Sequence, residues 1–310
     1  CWHDLMLDVF DMLKTTLNSE VLVIGAGIAG CSVAYELARR GVKVCIAERE
    51  ASPGYHTTGR SAATFVGCYG NNLIRAISAA SLPFFQDPPE NFCDQPLLSN
   101  RGALYIAGKN QLKDLDKFIQ EPSNVGLLEP LDLFETKRMV PALRTSAMAG
   151  AALEPQAKDI DVNSLLMGYL RGVRNKGGIL MTGAEVVSIE RQGKLWVVKT
   201  RAGDISTPTI VNAAGAWGDK IGEIAGTRHV GLIPKRRTAL TIDPDQPFAN
   251  WPLTISMDES WYFRPEGGYL LISPADETPS FPCDSQPEEM DIAQCIEQIQ
   301  RATHMKVERI

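Results

Sequence analysis

Gly25, Gly27 and Gly30 stand in the spacing G-x-G-x-x-G, and Glu48 follows 18 residues after the last of them. Those residue types at that spacing suit one chemistry, the binding of a dinucleotide. The first glycine permits a sharp turn off a strand, the second lets backbone approach a pyrophosphate, and the third lets a helix lie close on its sheet. The opening amides of that helix, here around Ile28 and Ala29, present unpaired N–H groups and the positive end of the helix dipole to the phosphates. A carboxylate at Glu48 accepts hydrogen bonds from ribose hydroxyls and repels a 2′-phosphate. The spacing alone also suits a glycine-rich turn in an ordinary βαβ unit. Context favours the dinucleotide. Residues 21–24 are an apolar run, a helical pattern follows and stops at Gly41, and a second apolar run at 42–47 delivers the acid.

The rest of the chain must supply the elements around that unit. Residues 51–70 are rich in Gly, Ser and Thr and read as a loop. A helix is expected over 72–82, broken by Pro83, and a short strand over 102–108. Surface helices follow at 109–121 and 132–139, then a strand at 149–153. Asp161 caps an amphipathic helix over 162–176 that places Leu165, Leu166, Tyr169, Leu170 and Val173 on one face. Strands are expected at 179–182, 185–190, 195–200 and 208–213, and a helix at 218–225. Antiparallel strands follow at 237–243, 252–257, 260–264 and 269–273, and a last helix runs from Pro287 to about Arg301. The acidic N-terminal stretch, 1–18, reads as an appended amphipathic helix. The order is α/β, meander, α/β, meander, which fits two domains that the chain crosses more than once.

Composition excludes several classes. Of 310 residues, 44% are hydrophobic and 22% charged, as in an ordinary soluble globular protein, and the net charge of −6 does not suit a nucleic-acid surface. No apolar run is long enough to span a bilayer. The seven cysteines include no C-x-x-C pair and the four histidines are scattered, so neither a disulfide framework nor a metal site is expected. No targeting signal is read, and the expectation is a cytoplasmic protein.

Several segments together resemble the D-amino-acid oxidase superfamily of FAD-dependent enzymes, and within it most of all the bacterial D-arginine dehydrogenases. They are GAGIAG at 25–30, PGYHTTGRSAA at 53–63, FFQDPPENFCDQPLLS at 84–99, DIDVNSLLMGYLRGVR at 159–174, NAAGAW at 212–217, PKRRTA at 234–239 and DESWYFRPEGGYLLISPA at 258–275. The resemblance implies an α/β, Rossmann-like FAD-binding domain of the glutathione-reductase type, made of 20–98 and 150–230. It also implies an α+β substrate domain on a mostly antiparallel sheet, made of 99–149 and 231–310, with 1–19 as an extension. FAD is the implied cofactor. Its contacts would come from the glycine-rich unit with Glu48 and Arg49, from Arg60, Ser61, Ala62 and Ala63 along the flavin, from Val186 after Glu185 near the adenine, and from Ala213, Ala214, Gly215 and Trp217. An NAD-dependent dehydrogenase is disfavoured, because the GRSAA and NAAGAW segments have no part in its chemistry.

The implied reaction is oxidation of the CH–NH2 group of a D-amino acid to an imine and then a 2-oxo acid, by hydride transfer to flavin N5. Either oxygen or a quinone would be the electron acceptor. Arg237 and Tyr262 match positions that hold the substrate carboxylate, and Tyr69 matches a further active-site tyrosine. Arg237 also reads as part of a solvated basic run with Lys235 and Arg236, and Tyr262 as a half-buried strand aromatic. The acid that pairs with a cationic side chain in D-arginine dehydrogenases is matched by Ala103, and other polar pocket positions by Thr64 and Val66. That departure points to a neutral or hydrophobic substrate, and Ala103→Glu is expected to raise kcat/KM for D-arginine relative to D-leucine. Alternatives within the same superfamily are a sarcosine, glycine or other secondary-amine oxidase and a 2-hydroxy-acid dehydrogenase. In the family a further stretch returns to the FAD domain after the last helix. It is expected to be missing from a chain that stops at Ile310, which leaves open a non-catalytic flavoprotein fragment.

Overall fold

The computed structural model describes residues 16–307. Most of the expected helix over 1–18 lies outside them, and Leu17–Asn18 form a short strand parallel to Ile205 and Ser206. The described residues divide into two units, one of 16–62, 88–97 and 161–233, the other of 63–87, 98–160 and 234–307. Residues 63–87 and 150–160, expected with the nucleotide-binding half, belong to the second unit. The reason is strand pairing. Thr64–Phe65 and Leu98–Asn100 both pair with Lys158–Ile160, and Gly150–Glu154 pairs with Ala103–Ala107.

The first unit is built on a parallel sheet in the order Ile179–Met181, Val44–Ala47, Val21–Ile24, Thr209–Asn212. Val21–Ile24 and Val44–Ala47 are buried at every residue, which explains why they read as unbroken apolar runs. Leu22 and Ile24 share a core with Val186, Ile189, Val198 and Ile205 of an antiparallel meander. The helices Ile28–Arg39 and Val162–Asn175 meet through Tyr35, whose ring lies 5.4 Å from Tyr169 and 5.6 Å, edge-on, from Phe92. Asp161 caps the second helix by accepting from the Ser164 N–H at 2.8 Å. The meander contains one strand without a clear sequence signal, Gly203–Thr207. Its Gly, Asp and Ser resemble a turn, yet pairing with Leu195–Thr200 sets Ile205 opposite Val198, both fully buried.

The second unit carries a seven-stranded sheet in the order Leu240–Ile242, Tyr269–Ser273, Tyr262–Glu266, Leu253–Ser256, Ala103–Ala107, Gly150–Glu154, Glu129–Leu131. It is antiparallel except where Leu253–Ser256 runs parallel to Ala103–Ala107, in line with the mostly antiparallel sheet expected. Alternation reports which face a residue takes and not which neighbour its strand meets. Helix Glu289–Ala302 lays Cys295, Ile299 and Ala302 into a core with Phe263, Leu270 and Ile272. Helix Asn72–Gln86 runs through Pro83 instead of ending before it. Proline removes one N–H, but Pro83 stands in the last turn and its carbonyl still accepts from the Asp87 N–H at 3.0 Å.

Among the described residues no helix is long and apolar enough to cross a membrane. The six described cysteines are free, and burial pushes the thiols of Cys31, Cys45, Cys68 and Cys295 up to about 12. At neutral pH these four are packing groups, not nucleophiles.

Phe263 is fully buried, with its ring stacked on Trp261 at 5.7 Å and tilted against Trp251 at 5.9 Å. Phe263→Ala is expected to cost about 3–5 kcal/mol in urea unfolding. Val187→Ala, at a residue 60% exposed, should stay within about 0.5 kcal/mol of the parent.

Candidate functional site

The first unit contains a groove along the carboxyl ends of its parallel strands. Its floor is the strand–turn–helix at Val21–Ile24 and Ile28–Arg39. Gly25 sits at φ +103°, and a Cβ there would lie 2.4 Å from the Ala213 carbonyl oxygen. A Cβ on Gly30 would lie 1.9 Å from the Gly25 oxygen. These two glycines therefore allow the helix, its turn and the neighbouring turn to pack in contact. Gly27 is the N-cap and lines the groove. Thr58 accepts from the Ile28 N–H at 3.0 Å, closing one of the open helix amides with a residue far along the chain. Ala29 and Gly30 are first-turn amides without intrahelical acceptors, and no acidic side chain stands in that turn. That end of the helix favours an anion.

Glu48 leaves the end of Val44–Ala47 and points back at the turn. Its two carboxylate oxygens accept from Ala26 N–H at 2.7 Å and Glu50 N–H at 2.8 Å. Each oxygen keeps a lone pair for a ribose hydroxyl. Beside it, the Arg49 guanidinium stacks 4.3 Å over the Trp217 ring and pairs with Glu50. His56 lies 4.6 Å from the same ring, with Nε2 2.9 Å from Glu50 Oε1. Arg49 and His56 hold the Glu50 carboxyl below the usual carboxylate range. The far wall is made of small residues. Ala213 N–H donates to Ile24 at 2.9 Å, and the Gly215 Cβ position is open, with no heavy atom within 4 Å.

The structure thus brings Gly25, Gly27, Glu48, Arg49, Val186, Ala213, Ala214, Gly215 and Trp217 onto one groove. Ile28, Ala29 and Gly30 belong to the helix that starts there. Arg60, Ser61, Ala62 and Ala63 do not line it. Arg60 lies over the Tyr55 ring at 5.1 Å, Ser61 donates to the Thr58 carbonyl at 3.1 Å, and Ala63 falls in the second unit. Thr58, His56 and Lys220 also line the groove and were not expected. Thr58 and His56 lie in the loop read only as Gly/Ser/Thr-rich, where no spacing marks a cap. An adenine dinucleotide such as FAD fits this set. The helix end suits its diphosphate, Glu48 its ribose, and the open backbone at Gly215 leaves room that a side chain would fill.

The three expected substrate contacts all lie in the second unit. Among the described residues no hydrogen bond or ion pair joins Arg237, Tyr262 and Tyr69. Arg237 is half-exposed and donates Nη2 to Glu277 at 3.0 Å and Nε to the Asp276 carbonyl at 3.3 Å. Its neighbours in the basic run are paired too, Lys235 with Glu277 and Arg236 with Glu288 and Asp291. Tyr262 packs half-buried against the Cys68, Ala103 and Leu253 cluster, and Tyr69 is exposed. Ala103 is fully buried in that cluster and stands opposite Glu154 in the strand register. It presents no surface to a substrate side chain, so the expectation that a glutamate there would form a cation site is not met.

The family model described as FAD dependent oxidoreductase (DAO) matches residues 20–308. Human mitochondrial dimethylglycine dehydrogenase is 26% identical over 272 residues, covering 83% of this chain and 30% of that protein. Mouse mitochondrial sarcosine dehydrogenase is 25% identical over 279 residues, covering 87% and 30%. The chain therefore spans under a third of these curated relatives. Among solved structures, L-proline dehydrogenase from P. horikoshii has a TM-score of 0.80 at 21% identity, covering 95% of this chain and 80% of that one. Glycine oxidase from Geobacillus kaustophilus has 0.78 at 19%, covering 95% and 81%. These structures share the fold.

Ala103→Glu would place a carboxylate in the core directly across from another. It is expected to destabilise the chain by about 3–5 kcal/mol in urea unfolding. Ala103→Ser, which adds one small hydroxyl, should cost about 1–3 kcal/mol.

Proposed function

Because this chain belongs to the FAD dependent oxidoreductase family, we propose that it is the flavin-binding, amine-oxidising part of an enzyme for small N-substituted glycines such as sarcosine or dimethylglycine. The observation that carries this reading is the match of 83–87% of the chain to dimethylglycine and sarcosine dehydrogenases. The closed core at Ala103 supports it, since a glycine-type amine has no side chain to accommodate. Bound FAD would supply the two-electron acceptor for a hydride from the carbon next to nitrogen.

The chain's own residues bind and orient. The groove would hold the dinucleotide by backbone amides and Glu48. Arg237 is the proposed anchor for the substrate carboxylate, because a guanidinium pairs a carboxylate with two parallel hydrogen bonds. Its half-exposed pairing with Glu277 is of the kind worth only about 0–1 kcal/mol, so an incoming carboxylate can displace it. Tyr262 and Tyr69 are proposed to border the amine. Loss of hydride would leave an iminium ion on the substrate, which water hydrolyses to a carbonyl compound and an amine with release of a proton. Oxygen or a quinone would accept the electrons afterwards. A neutral D-amino acid is the second reading, resting on the residue resemblances at 53–63 and 258–275; the relatives reported above bear out the superfamily and not a D-arginine dehydrogenase in particular.

Anaerobic mixing of the flavin-loaded chain with an amine panel tests the assignment. Sarcosine and dimethylglycine are expected to bleach the visible flavin band at least tenfold faster than D-leucine or D-arginine. The opposite order would transfer the assignment to D-amino acids. A bound flavin that none of the panel bleaches would make the chain a non-catalytic flavoprotein segment.

A further inference from the structure

In the second unit, two buried charges of opposite sign grip one short stretch of backbone, residues 63–68. At its start Arg264, only 4% exposed, donates Nη1 to the Ala63 carbonyl at 3.0 Å and to Thr64 Oγ1 at 2.7 Å. The guanidinium charge is met by Asp159, with Nη1 to Oδ1 at 3.3 Å, and by Glu266. Asp159 in turn is held by Arg101 Nε at 2.6 Å. At the other end Glu154, 2% exposed, accepts from the Gly67 N–H at 2.6 Å and the Cys68 N–H at 3.3 Å. Between these grips only Thr64 and Phe65 pair in a sheet. Gly67 and Cys68 leave the ladder and would have unpaired amides without the carboxylate.

Stability does not explain this arrangement. Removing a carboxylate from water costs more than hydrogen bonds to two amides return, and a buried charge is a weak source of net stability. What it does give is a backbone segment with one permitted path, the role of a supporting shell behind a site. Glu154 is also not a stand-in for an acid at Ala103, since both of its oxygens are turned to the backbone.

We propose that Arg264 and Glu154 are positioning residues that clamp residues 63–68, and thereby set the path of the chain into Tyr69, the tyrosine proposed to border the amine. This rests on the proposed function, which sets Tyr69, directly after that stretch, beside the amine. Neither charged group touches substrate; each acts through the backbone it holds.

The flavin-loaded full chain carrying Glu154→Gln tests the clamp by three readouts. Amide hydrogen exchange at Gly67 and Cys68 is expected to rise at least tenfold, with exchange in helix Ile28–Arg39 unchanged. The limiting rate of flavin bleaching by sarcosine should fall at least tenfold with KM within twofold. The visible circular dichroism of the bound flavin should change. Arg264→Ala should act in the same way at Ala63 and Thr64, and Arg264→Lys should recover part of the rate, so that a failure of one variant to fold leaves the other decisive. Unchanged exchange in residues 63–68, or faster exchange with an unchanged bleaching rate, overturns the proposal. If no amine bleaches the parent flavin, the functional reading fails by itself. The clamp is then judged by exchange and dichroism, and it is overturned if both variants match the parent in either one.

Discussion

The contact of Gly30 with the Gly25 carbonyl, and of Gly25 with the carbonyl of Ala213, is the constraint on which the nucleotide-binding unit depends. A methyl group at either glycine would sit inside a neighbouring oxygen. With hydrogen there instead, helix Ile28–Arg39 starts directly off its strand, and the turn at 213–215 closes against it. The helix end, Glu48 and the small-residue wall then share one groove. Burial of Val21–Ile24 between the helices and the meander core keeps the strand end from shifting.

The second unit solves a different problem. Its mixed sheet and the helix Glu289–Ala302 enclose an apolar core around Phe263, Leu270 and Ile272. Against that core, the stretches that leave the regular ladders are satisfied by charged side chains. Arg75 donates to the Gly70 carbonyl at 2.8 Å and to Asn124 Oδ1 at 2.9 Å, and Arg101 donates to the carbonyls of Ala249 and Trp251. Backbone groups removed from water need partners, and irregular segments cannot supply them to one another. Long arginine and glutamate side chains reach where the sheet does not.

The legible parts of this protein are those with a short period. The apolar run, the glycine spacing and the capped helix at Asp161 each encode their geometry within a few residues, and the corresponding elements lie within a few residues of expectation. The less legible parts are set by neighbours. Gly203–Thr207 is a strand because Leu195–Thr200 lies beside it. Leu253–Ser256 pairs in parallel because the chain returns from a distant connection to meet Ala103–Ala107. Pro83 stays inside a helix because its position in the last turn limits the loss to one hydrogen bond.

For the candidate site the division is the same. Residue types and spacing determined the dinucleotide unit and its acid, since each is encoded in one short βαβ stretch, while the small-residue turn at 213–215 came from the family resemblance. Only the tertiary structure decided that Thr58 closes the helix end from 30 residues away, that Glu277 occupies Arg237, and that Ala103 is sealed in a core. It also decided that Glu154 and Arg264 reach residues 63–68 across 87 and about 200 residues of sequence. The physical reason is that a side chain's partner is chosen by proximity in the folded chain, and at such separations no periodicity in the sequence records it.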